Sequence, residues 1–235
     1  ENYSKLILLT NQADCFGLDN TWVTFLGCLV KKTCKIVIDF RDIHVLDEST
    51  LSLIIIFVKR YIDAASKYNP DHIVRSARDN QCISFEFIDL AIKEHLSKNS
   101  KYTTTDDLPK GMRSEIIDIN FLRNLHTKLV DPEMTEYMTW YLDRPNKWKV
   151  VKVNVPQKLK RSHYRLTVDT ETDLKLVNKV YDALYKGVPI NSYEIVKFLD
   201  DNQDLVMLNS NIKQRLHKDF KDKVDIRTFD EISDV

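Results

Sequence analysis

His72-Ile-Val-Arg-Ser-Ala77 leads through Arg78-Asp-Asn-Gln-Cys-Ile83 into Ser84-Phe-Glu-Phe-Ile-Asp-Leu-Ala-Ile-Lys-Glu-His-Leu-Ser-Lys98. The first piece is short and β-branched and reads as a strand. The last has a Ser-x-x-Phe start and apolar residues at helical spacing, so it reads as a helix. Strand, polar turn, helix is the unit from which layered α/β sheets are built. Working towards the N-terminus, Asn69-Pro70 stops a helix that opens at Asp47-Glu-Ser-Thr50 and continues towards Ala65. Before it, Lys35-Ile-Val-Ile-Asp-Phe40 reads as a buried parallel strand, Asn20–Lys32 as a helix and Lys5–Thr10 as a first strand. Towards the C-terminus the expected strands are Ser114–Ile119 and Trp148–Val153. The expected helices are Phe121–Lys128, Met134–Leu142, Asp173–Tyr185, and Ser192–Asp200 with Ser192 at its cap. This alternation argues for a layered α/β sheet.

Composition narrows the function classes. The 235 residues are 43% hydrophobic, enough for a real core, and 35 basic side chains balance 35 acidic ones. With no net field, nucleic acid is not an expected partner. No apolar run reaches spanning length, so no membrane association is expected, and Glu1-Asn2-Tyr3 does not open a secretory signal. Cys15, Cys28, Cys34 and Cys82 form no CxxC pair, which suits reduced thiols and a cytoplasmic protein. Only four glycines occur, Gly17, Gly27, Gly111 and Gly187, so no window supplies a GxGxxG or Walker loop.

Two acids stand where open α/β sheets place ligands, just beyond strand ends: Asp79 after His72–Ala77, and Asp169 after the extended run Tyr164–Val168. Such a pair could hold Mg²⁺ against a triphosphate. Each could equally cap the helix that follows, and for Asp169 the neighbours Thr170 and Thr172 could cap as well.

Several segments, in order, carry a family resemblance. They are Arg60–Tyr68, Ile73-Val-Arg-Ser-Ala-Arg-Asp-Asn-Gln81, Phe87-Ile-Asp-Leu-Ala-Ile92 and Leu108-Pro-Lys-Gly-Met-Arg-Ser-Glu-Ile116. Asp131–Thr139 and Arg165-Leu-Thr-Val-Asp-Thr-Glu-Thr-Asp173 complete the set. Together they resemble the cytidylyltransferases of nucleotide-sugar synthesis, the spore-coat-polysaccharide and acylneuraminate branch, over about residues 57–211. The resemblance implies a Rossmann-like layered sheet of the nucleotide-diphospho-sugar transferase type. It implies Asp79 and Asp169 as Mg²⁺ ligands, and Arg78, Asn80, Glu115 and Arg165 as nucleotide- or substrate-binding residues, with Glu115 in or beside the sugar pocket. No catalytic nucleophile is implied. The substrates would be CTP and a sugar or sugar acid, CMP being transferred with release of pyrophosphate, and the protein would be a homodimer.

The family's N-terminal loop, rich in Gly, Arg and Lys, has no counterpart: Asn11–Asp19 contains no Arg or Lys and offers Asp14 and Asp19. Residues 1–56 therefore read as a divergent N-terminal α/β part, and 57–235 as one continuous cytidylyltransferase-like domain. Lys35–Val58 also resembles the strand–loop–helix of a STAS domain, with Ser49 at its phosphorylatable position. The alternative function is thus a non-catalytic, degenerate family member, or a docking module that binds a partner. Histidines 44, 72, 95, 126, 163 and 217 are scattered and expected on partly exposed surface. Lys158–His163 reads as a solvated basic loop, and Trp140, Tyr141 and Trp148 as packing aromatics.

Overall fold

The computed structural model of the protein describes residues 5–9, 35–38, 62, 69–77, 79–128 and 142–212. The expected helices at 20–32, 47–65 and 134–142, together with the 11–19 stretch, Ser49 and Arg78, lie outside the described residues, apart from the helical residues Ile62 and Leu142.

Six strands form one sheet: β1 (Lys5–Leu9), β2 (Lys35–Ile38), β3 (His72–Arg75), β4 (Tyr102–Thr104), β5 (Glu115–Asp118) and β6 (Val150–Lys152), in the spatial order β2-β1-β3-β5-β4-β6. β1 runs parallel to both β2 and β3, and β4 runs parallel to β6. β5 is the reversed strand, antiparallel to β3 on one side and β4 on the other. The sheet is therefore mixed, and the two N-terminal strands belong to it. β4 was not expected from the sequence: three residues, Tyr-Thr-Thr, are too short to show a period.

The register pairs Ile73 with Ile117 and Val74 with Ile116. Side chains alternate across a strand, so Val74 and Ile116 face one layer while Ile73 and Ile117 face the other. All four are buried, as expected of central strands covered on both faces. On the first face the core continues through Phe87, Ile88, Leu166, Val177, Val180 and Leu199. Trp148 joins the core: its ring lies 5.0 Å from that of Phe121, and its Nε1 donates to the Leu142 carbonyl at 2.7 Å.

Helix α1 (Phe85–Ser97) follows β3 and packs on β4 and β5. It ends on Asn99 at φ 47°, where the Asn99 amide donates to the Leu96 carbonyl at 3.1 Å and the Ser100 amide to His95 at 2.9 Å. This crossed pair satisfies carbonyls the helix end would otherwise leave open. α2 (Ile119–Lys128) starts directly from β5, because the Asp118 carboxylate accepts the amides of Asn120 and Phe121, each at 2.9 Å. α3 (Glu171–Leu184), α4 (Ser192–Asp201) and the short α5 (Gln203–Met207) complete the described helices. At α4 the cap is Asn191, whose side chain accepts the Tyr193 amide at 2.9 Å, and not the expected Ser192. Ser192 is buried one position further in and donates to Glu86 at 2.8 Å, tying the starts of α4 and α1 together. Among the described residues, no helix is long and apolar enough to cross a membrane.

Candidate functional site

Three loops meet at one end of the sheet: residues 79–84 after β3, residues 108–113 before β5, and residues 164–170 before α3. Backbone bonds join them. The Cys82 amide donates to the Gly111 carbonyl at 3.1 Å, Ser84 to Met112 at 3.1 Å, Leu166 to Lys110 at 2.7 Å and Val168 to Asp79 at 2.9 Å. Single β-bridges link Asn80 with Thr167 and Lys110 with Arg165. The extended run before Asp169 is thus held by two isolated bridges and does not form a regular strand. Gly111 makes the junction possible. Its φ is +93°, and a Cβ placed there would lie 2.2 Å from the Leu166 carbonyl carbon. Only glycine permits both that backbone conformation and that approach.

The junction brings Asp79 and Asp169 to neighbouring backbone, since the residue beside Asp169 bonds to the Asp79 carbonyl. Neither acid caps a helix. Ser84 occupies the start of α1. Thr170 caps α3, accepting the Asp173 amide at 3.2 Å, while the Asp173 carboxylate reaches back to the Thr170 amide at 3.0 Å. This reciprocal box satisfies the helix start without Asp169. Asp79 is half-buried and accepts from the Thr167 hydroxyl. The Asp169 side chain is 43% exposed and pairs with Arg165.

The remaining residues singled out in the sequence have definite partners. Asn80 donates from Nδ2 to the Arg113 carbonyl at 3.1 Å, so it ties two of the loops together. Arg165 is buried and divides its guanidinium between Asp169 and Asp173, with Nε 2.9 Å from Asp173 Oδ1. Glu115 is buried at the start of β5, where its carboxylate accepts from Arg75 and, at 2.6 Å, from the Tyr102 hydroxyl. Burial and then the neighbouring Glu115 carboxylate hold the Tyr102 phenol well above its usual range. Lys110 and Arg113 stand in the middle loop, and for both burial depresses the charged form. For Lys110 the nearby Arg113 and Arg165 add to this, while Asp169 opposes it.

The expectation of partly exposed histidines is corrected at His95. His95 is fully buried, with Nδ1 2.8 Å from the Thr103 hydroxyl and Nε2 3.1 Å from His72 Nδ1; the rings stack edge to face at 4.8 Å. Its position on the buried side of α1 was visible from spacing, but its partners come from β3 and β4. The basic loop is not simply solvated either. Lys158 lies over the Tyr193 ring at 4.2 Å, and Arg161 pairs with Asp200 at 2.7 Å. Cys82 is a free, buried thiol whose pKa is pushed up to about 12 by burial, as an inert core residue requires.

No protein-family model matches the chain. The uncharacterized protein MJ1063 of Methanocaldococcus jannaschii is 30% identical over 167 residues, covering 69% of this chain and 67% of that protein. SpsF, a spore coat polysaccharide biosynthesis protein of Bacillus subtilis, is 24% identical over 147 residues, covering 62% and 61% of the two chains. A cytidylyltransferase from Leptospira borgpetersenii shares the fold at TM-score 0.63 and 20% identity, over 92% of this chain and 99% of that one. The chain belongs to one family with MJ1063, and its fold is that of a cytidylyltransferase. Its sheet is of the nucleotide-diphospho-sugar transferase type. The chain spans about two thirds of MJ1063 and somewhat less of SpsF.

Within this cytidylyltransferase-like chain, sequence reasoning passed over Asp173, Thr167 and Asn209. All three are buried and polar and bond directly to the residues that reasoning had selected. Asp173 is visible as the acid three residues after Thr170 in a Thr-x-x-acid capping pattern. Asn209, 36 residues further on, carried no local signal.

Proposed function

We propose that this protein is a nucleotidyltransferase of surface-polysaccharide or glycoconjugate biosynthesis that transfers CMP from CTP to a sugar or sugar acid. One observation carries the reading: the junction of the three loops sets Asp79 and Asp169, neither of them needed as a helix cap, on adjoining backbone at one end of the sheet. Family membership and the naming of SpsF for spore coat polysaccharide biosynthesis support the reaction class and the pathway.

The donor set suits Mg²⁺. Both carboxylates are hard oxygen donors and neither is fully buried. Among the described residues, no three His, Cys, Asp or Glu side chains form a metal cage. Mg²⁺ is commonly held in this way, by one or two carboxylates, with substrate phosphates and waters filling the remaining positions. Bound there, the ion would neutralise triphosphate charge. An acceptor hydroxyl oxygen forms the new bond to the α-phosphorus. The bond from that phosphorus to the β-bridging oxygen breaks, pyrophosphate leaves with the electron pair, and the hydroxyl proton is released. Chemistry of this kind depends on positioning and electrostatics more than on a protein nucleophile. In this reading Asn80 and Arg165 line the nucleotide side. Glu115, already engaged by Arg75 and Tyr102, forms the floor.

Calorimetric titration of CTP with Mg²⁺ into the wild type and Asp169→Asn tests the reading. Mg²⁺-dependent binding is expected in the wild type, weakened at least tenfold in the variant. A wild type that binds no CTP in the presence of Mg²⁺ would sink it. The docking alternative rests on Ser49 and the 11–19 stretch, and nothing among the described residues favours it.

A further inference from the structure

Asp173 is a buried carboxylate for which the functional reading has no use. It is completely inaccessible to solvent, and both of its oxygens are held by hydrogen bonds. Oδ1 accepts from Arg165 Nε at 2.9 Å and Asn209 Nδ2 at 2.8 Å. Oδ2 accepts the Asp169 amide at 3.1 Å, and the Thr170 amide and hydroxyl at 3.0 Å each.

A carboxylate offers about four lone-pair sites, and with Arg165 Nη2 also donating to Oδ2 at 3.3 Å, six donor contacts leave no room for a cation. A capping box would need only the Thr170 contacts; Arg165, Asn209 and the Asp169 amide go beyond it. These additional contacts lead to Asp169. The Arg165 guanidinium is a rigid planar fork, so seating it on Asp173 fixes the direction of the nitrogen that holds Asp169 Oδ2. Asn209, itself buried, also donates to the Arg165 carbonyl at 2.9 Å and so pins that residue from both ends. Arg165 on one oxygen is compatible with a cation on the other.

We propose that Asp173 is the positioning residue of the candidate cation site, presenting Asp169 through Arg165 and through the backbone amides of Asp169 and Thr170 while touching neither metal nor substrate. The inference rests on the functional reading above, in which Asp169 is a ligand. It gives the Arg165–Asp173 motif a physical sense: the acid at its centre is the ligand, and the arginine and acid at its two ends hold it still. Outer partners of this kind commonly govern metal affinity by about 10- to 100-fold.

The test is calorimetric titration of the full chain with CTP, once in EDTA and once with saturating Mn²⁺ as the probe ion. The readout is the gain in CTP affinity that the metal confers. Asp173→Asn is expected to lose at least tenfold of that gain, and Asn209→Ala about two- to fivefold, each measured against the same variant's affinity in EDTA. A purely structural role would lower the melting temperature and leave the gain intact. Should Asp173→Asn fail to fold, Asn209→Ala decides the matter by itself. A folded variant that retains the full wild-type gain overturns the positioning role and leaves the functional reading standing. A wild type with no metal-dependent gain removes the ligand role of Asp169, and the positioning role with it.

Discussion

Gly111 and Gly187 both sit at positive φ, +93° and +80°, yet their surroundings differ completely. At Gly187 nothing lies within 4 Å of where a Cβ would stand, so Gly187→Ala should cost only the left-handed backbone penalty, about 1–2 kcal/mol. At Gly111 the new methyl would collide with the carbonyl carbon and oxygen of Leu166, which are backbone atoms and cannot swing aside. Gly111→Ala should therefore destabilise by roughly 3 kcal/mol or more and open the junction that joins Asp79 to Val168. Urea denaturation of the two variants side by side measures the difference. In the sequence Gly111 stands in the Pro109-Lys-Gly111 stretch. The reason for the glycine is visible only once residues 166 and 167 lie against it.

The helices were the most legible elements, because their boundaries depend on residues close in sequence. The expected 84–98 helix is α1, with Ser84 and Lys98 as its flanking caps. The expected Asp173–Tyr185 helix is α3, which begins two residues earlier at Glu171 because Thr170 and Asp173 form a capping box. The inward stripe of α3 is Leu176, Val177 and Val180. Thr170→Ala removes the cap acceptor and should cost about 1 kcal/mol, read as a lower urea midpoint with an unchanged slope. Strands were less legible. β4 is too short to show alternation, and the reversal of β5 cannot be inferred from its own residues. Glu-Ile-Ile-Asp is buried along its whole length and would read the same in either direction.

At the scale of the molecule, the His72–His95–Thr103 chain links β3, α1 and β4 beneath the sheet, with Asp118 and Lys101 close by and Asp71 beside His72. Burial, then the neighbouring His72 ring, lower the His95 pKa to about 3; burial also lowers that of His72. A depressed folded-state pKa means that the unfolded chain takes up protons first. The stabilisation is complete above the ordinary histidine pKa of about 6.5 and is lost as pH falls from there towards 3. At its steepest the loss is about 1.4 kcal/mol per pH unit for each such group. Urea midpoints of the wild type should fall between pH 7.5 and pH 5, before most carboxylates titrate. His95→Gln should show a flatter dependence over the same interval.

Patterns within a few residues sufficed for the α/β class, the central strand His72–Arg75 and helices α1, α3 and α4. Local hydrogen bonding and side-chain period act over distances the sequence displays directly. The ordered family motifs marked Asp79, Asp169 and Arg165, but spacing alone reads both acids as helix caps before it reads them as ligands. Tertiary structure removed the capping role from both acids. Ser84 and Thr170 take the capping positions, and Gly111 lets the 166–167 backbone close against the middle loop. The Asp173 carboxylate gathers Arg165 and Asn209 around the turn that carries Asp169. The Asn209–Asp173 and Thr167–Asp79 bonds join residues 36 and 88 positions apart, and no local pattern records them.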